Sequence, residues 1–106
     1  SGARAGLTAF LAGVARTVAG SNVTINNILP GKFDTDRIRS TLAFAADKAG
    51  VSVEEQAKKV AADIPAGRLG TAEEFGKACA FLCSAHAGYI TGQNLILDGG
   101  LYPSAF

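Results

Sequence analysis

The sequence predicts an α/β chain with parallel strands, and three observations carry that expectation. Val23-Thr24-Ile25-Asn26-Asn27-Ile28-Leu29 is an apolar, β-branched run that stops at Pro30-Gly31. A second apolar run, Asn94-Leu95-Ile96-Leu97, stops at Asp98-Gly99-Gly100. Before and between the two runs lie stretches of helical periodicity, and strands separated by helices imply a parallel sheet.

The first helix is expected over residues 4–19. Leu7, Phe10, Leu11, Val14, Ala15 and Val18 share one face, and Gly20 suits the position just past the end. Ser21-Asn22 then turns the chain into a strand over residues 23–29. Pro30 lacks an N–H and should end the ladder, while Gly31 permits a sharp turn or a close approach of backbone to a ligand. Beyond it, Thr35 or Asp36 can cap a helix with Ile38, Leu42, Ala45 and Ala49 on one stripe, ending at Gly50. Ser52-Val53-Glu54-Glu55 is a capping box, and Val53, Ala57, Val60, Ala61 and Ile64 line the helix that runs to Pro65. Thr71-Ala72-Glu73-Glu74 is a second box, opening a helix through Ser84 with Phe75, Ala78, Cys79, Leu82 and Cys83 inward. Residues 85–92 read as irregular, 94–97 as a strand, and the tail is apolar at Leu101, Tyr102 and Phe106.

Composition narrows the function classes. The chain has 106 residues, enough for one small domain and not two. A net charge of +1 supplies no basic field for nucleic acid. No apolar run approaches the ~20 residues that span a membrane. The opening Ser1-Gly2-Ala3-Arg4 does not read as a signal peptide, and two cysteines make no disulfide framework, so a reducing, cytoplasmic setting is expected. Parallel strands are usually buried on both faces, and two strands alone are not a stable sheet, so the apolar edge of the strand at 23–29 wants a further neighbour. The chain therefore reads as the carboxyl-terminal part of a larger domain, or as a chain that pairs with one.

The order of motifs resembles the C-terminal half of the short-chain dehydrogenase/reductase family. The matching residues are Arg4-Ala5-Gly6-Leu7, the run from Val23 to Pro30-Gly31, Thr35, the stretch Ile64-Pro65-Ala66-Gly67-Arg68-Leu69-Gly70-Thr71-Ala72-Glu73-Glu74, and the stretch from Gly88-Tyr89 to Asp98-Gly99-Gly100. The resemblance covers essentially the whole chain and is greatest to members similar to bacterial ketoacyl-carrier-protein reductases. It implies that residues 1–106 are the C-terminal portion of one Rossmann-like, doubly wound, three-layer α/β/α domain. Residues 36–66 are then its substrate-binding lobe. It implies an NAD(P)-dependent oxidoreductase acting on a carbonyl/alcohol pair, with only the nicotinamide half of the cofactor reaching this chain. The residues that choose NAD over NADP lie upstream in the family, as does the Gly-rich phosphate loop; no G-x-G-x-x-G occurs here. It also implies a homodimer or homotetramer, through the first helix and the last strand with its tail, completed by the missing N-terminal half.

The site residues follow from the same resemblance. Phe33 would contact the nicotinamide carboxamide through its backbone, after the Pro30-Gly31 turn. Thr35 would contact the cofactor near its amide or phosphates, and Ile38 and Leu42 belong to the substrate lobe. Arg4 occupies the lysine position of the family's Tyr-x-x-x-Lys pair, whose tyrosine would lie one residue before Ser1. Arginine can hold ribose hydroxyls and favour a tyrosinate, but it does not easily give up a proton. Arg4 thus stands as catalytic or cofactor-binding, or as a solvated residue at a helix start. It keeps open a catalytically impaired or non-enzymatic relative, and a structural partner chain is a third alternative. The stripe of Ile38, Leu42 and Ala45 either lines a substrate pocket or docks its helix. Cys79, Cys83 and His86 share a helical spacing but lack a fourth ligand, so the cysteines read as buried core rather than as part of a metal site. Tyr89 reads as packing rather than as a proton donor, since nothing is spaced to activate it.

Overall fold

The computed structural model describes residues 2–102, with side chains from Ala5 onward. Helix α1 spans Gly2–Val18, strand β1 Asn27–Pro30, helix α2 Asp36–Ala49, helix α3 Val53–Ala62, helix α4 Ala72–Leu82 and strand β2 Asn94–Leu97. Short 3₁₀ turns occupy Ala19–Ser21 and Ala85–Ala87. The strands form a two-stranded sheet. The Asn27 N–H donates to the Gln93 carbonyl (2.9 Å) and the Gly31 N–H to the Leu97 carbonyl (2.7 Å). Both bonds keep one sequence offset, which makes the pair parallel.

The chain divides into two compact units. The first runs up to Leu29 and takes in Gly76–Ile96. Its buried residues are small, Ala15 and Ala87. Strand β1 begins at Asn27, four residues later than the apolar run at Val23 predicts. Its partner β2 begins only at Asn94, and a ladder lasts no longer than its partner. Upstream, polar side chains take over the bonding. The Thr91 hydroxyl accepts from the Ile25 N–H (3.1 Å), and the Asn26 amide donates to the Ile90 carbonyl (3.0 Å). The Asn26 side-chain oxygen accepts from the Gln93 N–H (3.1 Å), and the Gly92 N–H donates to the Ile25 carbonyl (2.7 Å).

Gly20 does not terminate α1 as expected. The chain tightens into the 3₁₀ turn, and Asn22 takes the left-handed conformation (φ 62°), its N–H donating to the Ala19 carbonyl. Asparagine tolerates that region better than most residues. Helix α4 ends at Leu82 rather than Ser84. The Ser84 hydroxyl donates to the Phe81 carbonyl (2.7 Å) and accepts from the His86 N–H (3.2 Å), opening the second 3₁₀ turn.

Two expectations of burial fail here. Cys79 and Cys83 are exposed rather than inward, and Tyr89, expected to pack, is fully exposed. Leu7 and Phe10 on the apolar face of α1 are also exposed. Helical spacing shows which residues share a face, but one short strand pair offers too little surface to cover every apolar face.

The second unit is Pro30–Phe75 with the residues from Leu97 on. Helix α2 is capped by Thr35, whose hydroxyl accepts from the Ile38 N–H (3.3 Å), and it ends at Gly50 (φ 69°) as predicted. Helix α3 is capped by Ser52, whose hydroxyl accepts from the Glu55 N–H (3.1 Å). It ends at Ala62, two residues short of Ile64, because Pro65 forces Ile64 away from helical geometry. Helices α2 and α3 pack on each other. Leu42 and Ala46 are the buried residues of α2, while Ala49 at the end of the expected stripe is exposed. Ile64 is buried beside the β2 turn. There the Ala66 N–H donates to the Gly99 carbonyl (2.9 Å), and a Cβ on Gly99 would lie 2.9 Å from Ile64 Cγ2. Leu101 and Tyr102 are exposed, and Phe106 lies outside the described residues.

Candidate functional site

The carboxyl end of β1 opens into the turn Gly31-Lys32-Phe33-Asp34-Thr35, and ligands of open α/β sheets gather at strand carboxyl ends. Each residue of the turn is held. Gly31 lies against the β2 turn so closely that a Cβ would sit 2.6 Å from Asp98 Cβ and 2.7 Å from Asp98 Cα. Asp98 cannot retreat easily. Its carboxylate accepts from the Gly100 N–H (3.0 Å) and the Tyr102 N–H (2.8 Å), and its carbonyl accepts from the Leu101 N–H (3.2 Å). Asp34 forms a bidentate pair with Arg39 (2.8 Å for each bond), which joins the turn to the first turns of α2.

Phe33 forms an isolated parallel bridge with Gly70. The Gly70 N–H donates to the Lys32 carbonyl (3.0 Å), and the Asp34 N–H donates to the Gly70 carbonyl (2.8 Å). Backbone groups alternate in direction along an extended segment, so Phe33's own N–H and C=O face away from Gly70. Neither takes a hydrogen bond among the described residues. The Phe33 ring meets the Phe75 ring edge to face, with centroids 5.5 Å apart. Beside Phe33 lies a pocket of about 130 Å³ lined by Ala66, Arg68, Gly70, Glu74, Leu97 and Gly99.

Glu74 closes this side of the site. Its carboxylate accepts both Arg68 guanidinium nitrogens (2.7 and 2.9 Å) and the Thr71 N–H (3.0 Å), while the Thr71 hydroxyl accepts from the Glu74 N–H (3.0 Å). The capping box read from the sequence is therefore reciprocal. The Arg68 hydrogen bonds, with help from the Thr71 N–H, lower the Glu74 pKa from 4.5 to about 2. A depressed carboxylate pKa makes its stabilising effect complete above the ordinary value and lost as pH falls through the folded one. Following the Glu74 carboxyl carbon by NMR should thus place its titration near pH 2; a midpoint near 4.5 would mean that the bridge does not persist in solution.

The structure brings Pro30, Gly31, Phe33 and Thr35 onto one short stretch, with Ile38 half-buried on the first turn of α2. Leu42, read with Ile38 as a substrate-lobe residue, is buried. Neither of the two lines the pocket beside Phe33. Arg4 lies within α1, and its side chain is outside the described residues. Cys79, Cys83 and His86 are exposed, and no group of three metal-ligating side chains comes together among the described residues. Sequence reasoning missed the Arg68–Glu74 pair. The opposite charges flanking a capping threonine were the signal, since a capping-box glutamate has a second oxygen to offer an incoming arginine.

Helices before and between two parallel strands, with a glycine-marked turn at a strand's carboxyl end, define this chain as Rossmann-like α/β. It belongs to the short-chain dehydrogenase/reductase family: residues 1–102 match the family described as enoyl-(acyl carrier protein) reductase. It is 40% identical over 100 residues to the 3-oxoacyl-[acyl-carrier-protein] reductase FabG of Salmonella typhimurium, covering 94% of this chain and 36% of that protein. The FabG of Haemophilus influenzae is 40% identical over 102 residues, covering 96% of this chain and 38% of that one. The chain thus spans little more than a third of the length of these relatives. Among solved structures it resembles YwfH, an NADPH dependent reductase involved in bacilysin biosynthesis. That match has a TM-score of 0.83 at 34% identity, over 94% of this chain and 38% of that one. It also resembles an actinorhodin polyketide ketoreductase variant with NADPH, with a TM-score of 0.80 at 28% identity, over 93% of this chain and 38% of that one.

Proposed function

We propose that the intact protein is an NAD(P)-dependent oxidoreductase acting on a small carbonyl or alcohol, and that this chain supplies the nicotinamide edge of its site. The observation that carries the reading is the N–H and C=O of Phe33, unpaired among the described residues, on a turn held on both sides. A carboxamide offers one acceptor oxygen and two donor hydrogens, the complement of those two backbone groups. The reductase relatives and the NADPH named for two solved neighbours support the same cofactor class.

When bound, the nicotinamide supplies hydride; the residues of this chain bind and orient. Pro30 and Gly31 end the strand and aim the turn, and Phe33 orients the carboxamide. Thr35 adds a hydroxyl whose oxygen already accepts from Ile38, leaving its hydrogen to donate to the cofactor. Arg4 would hold ribose hydroxyls and stabilise a neighbouring tyrosinate, and Ile38 would face the substrate from the lobe. A cytoplasmic homodimer or homotetramer belongs to the same proposal. No helix among the described residues is long and apolar enough to cross a membrane.

Thr35 tests the reading, because it serves the helix and the proposed ligand through different atoms. In the intact protein, Thr35→Val should weaken NADPH binding up to roughly tenfold. It should also lower stability by ~1 kcal/mol, since the α2 cap goes with the hydroxyl. Thr35→Asp restores a good cap but no donor hydrogen, so its melt should match the wild type while its binding stays weak. Wild-type affinity in Thr35→Asp would reduce Thr35 to a cap and remove it from the cofactor site.

A further inference from the structure

We infer that Arg68 and Glu74 are positioning residues for the cofactor, acting through Gly70 on the backbone of Phe33. The inference rests on the proposed role of Phe33 and assigns the means by which its amide and carbonyl are aimed.

The argument follows the hydrogen bonds inward from the charged pair. Glu74 is tied twice to Arg68 and twice to Thr71, through its N–H and its hydroxyl (3.2 Å), so four bonds converge on one carboxylate. Arg68 also donates to the Leu69 carbonyl (3.1 Å), which fixes the peptide immediately before Gly70. Residues 68–71 are thereby held from both ends by a fork of fixed geometry. Gly70, at the centre, makes no side-chain contact of its own. Its N–H and C=O instead bond Lys32 and Asp34, the two neighbours of Phe33. These bonds leave Phe33's own N–H and C=O directed to the opposite edge. A shift of the Gly70 peptide therefore rotates the Phe33 peptides with it.

Packing locks the same link. A Cβ at Gly70 would lie 2.6 Å from Phe33 Cε2 and 2.7 Å from Cδ2, so the ring lies directly over the glycine. The ring's edge-to-face contact with Phe75, one residue after Glu74, leaves it little room to swing aside. The salt bridge itself is exposed, with side-chain exposures of 58% and 48%. An exposed pair contributes little to global stability, so its geometric role outweighs its energetic one.

The test uses the intact protein with NADPH as the probe. Glu74→Gln removes the charge but keeps an oxygen for the Thr71 cap. Amide exchange at Asp34 and Gly70 should quicken about tenfold while exchange inside α2 holds. The KM for NADPH should rise about fivefold with kcat within about twofold. Arg68→Lys keeps the charge but not the fork, and should fall between the wild type and Glu74→Gln. Gly70→Ala should reproduce the KM effect with the Arg68–Glu74 pair intact. Unchanged exchange at Asp34 and Gly70 would overturn the inference, and so would faster exchange with an unchanged KM. A wild-type protein that binds neither NADPH nor NADH would overturn the oxidoreductase reading instead. The exchange result would still decide whether the pair holds the loop.

Discussion

Leu42→Ala is expected to destabilise the α2–α3 lobe by about 2–5 kcal/mol, the usual loss for truncating a buried leucine. Leu42 is only 6% exposed and is the largest buried side chain of α2. The next buried residue, Ala46, is too small to fill a cavity left beside it. Ile38 provides the contrast, being half-buried on the first turn, so Ile38→Ala should cost less stability and act more on substrate KM. Thermal melts and substrate kinetics of the two variants in the intact protein separate a docking residue from a lining one. An undisturbed melt in Leu42→Ala, with a raised substrate KM, would return Leu42 to the pocket.

Gly31→Ala should cost about 2–3 kcal/mol and weaken NADPH binding, because the added methyl meets backbone rather than a side-chain tip. Asp98 Cα and Cβ stand where that methyl must go, and three hydrogen bonds hold Asp98 in its turn. The strain must therefore part Gly31 from the β2 turn, breaking the 2.7 Å bond to the Leu97 carbonyl. Denaturant unfolding and a cofactor titration of the intact variant would show both losses. A stable, normally binding Gly31→Ala would mean that this contact is looser in solution than the structure shows.

The local features of the chain could be read from its sequence because their physical causes are local. Thr35, Ser52 and Thr71 cap helices through a hydroxyl that reaches only three residues onward. Gly50 ends α2 because it alone in that stretch adopts a positive φ without strain, and Pro65 bars α3 from running on. The motif order, from Val23 to Pro30-Gly31 and from Ile64 to Glu74, carried the family and placed the turn at the strand's carboxyl end.

Partnership was not legible, because it depends on residues far apart in sequence. The run from Val23 had strand character but kept only Asn27–Pro30, since β2 offers a ladder no earlier. Cys79 and Cys83 had the spacing of packed residues, and Tyr89 read as packing for want of a group to activate it, but no described surface covers them. Gly31 read as a permissive turn residue, and only the tertiary structure showed Asp98 against it. Arg68 and Glu74 read as a loop charge and a capping acid. Their convergence on Gly70, and through it on Phe33, depends on a parallel bridge between segments 37 residues apart, which no local propensity encodes.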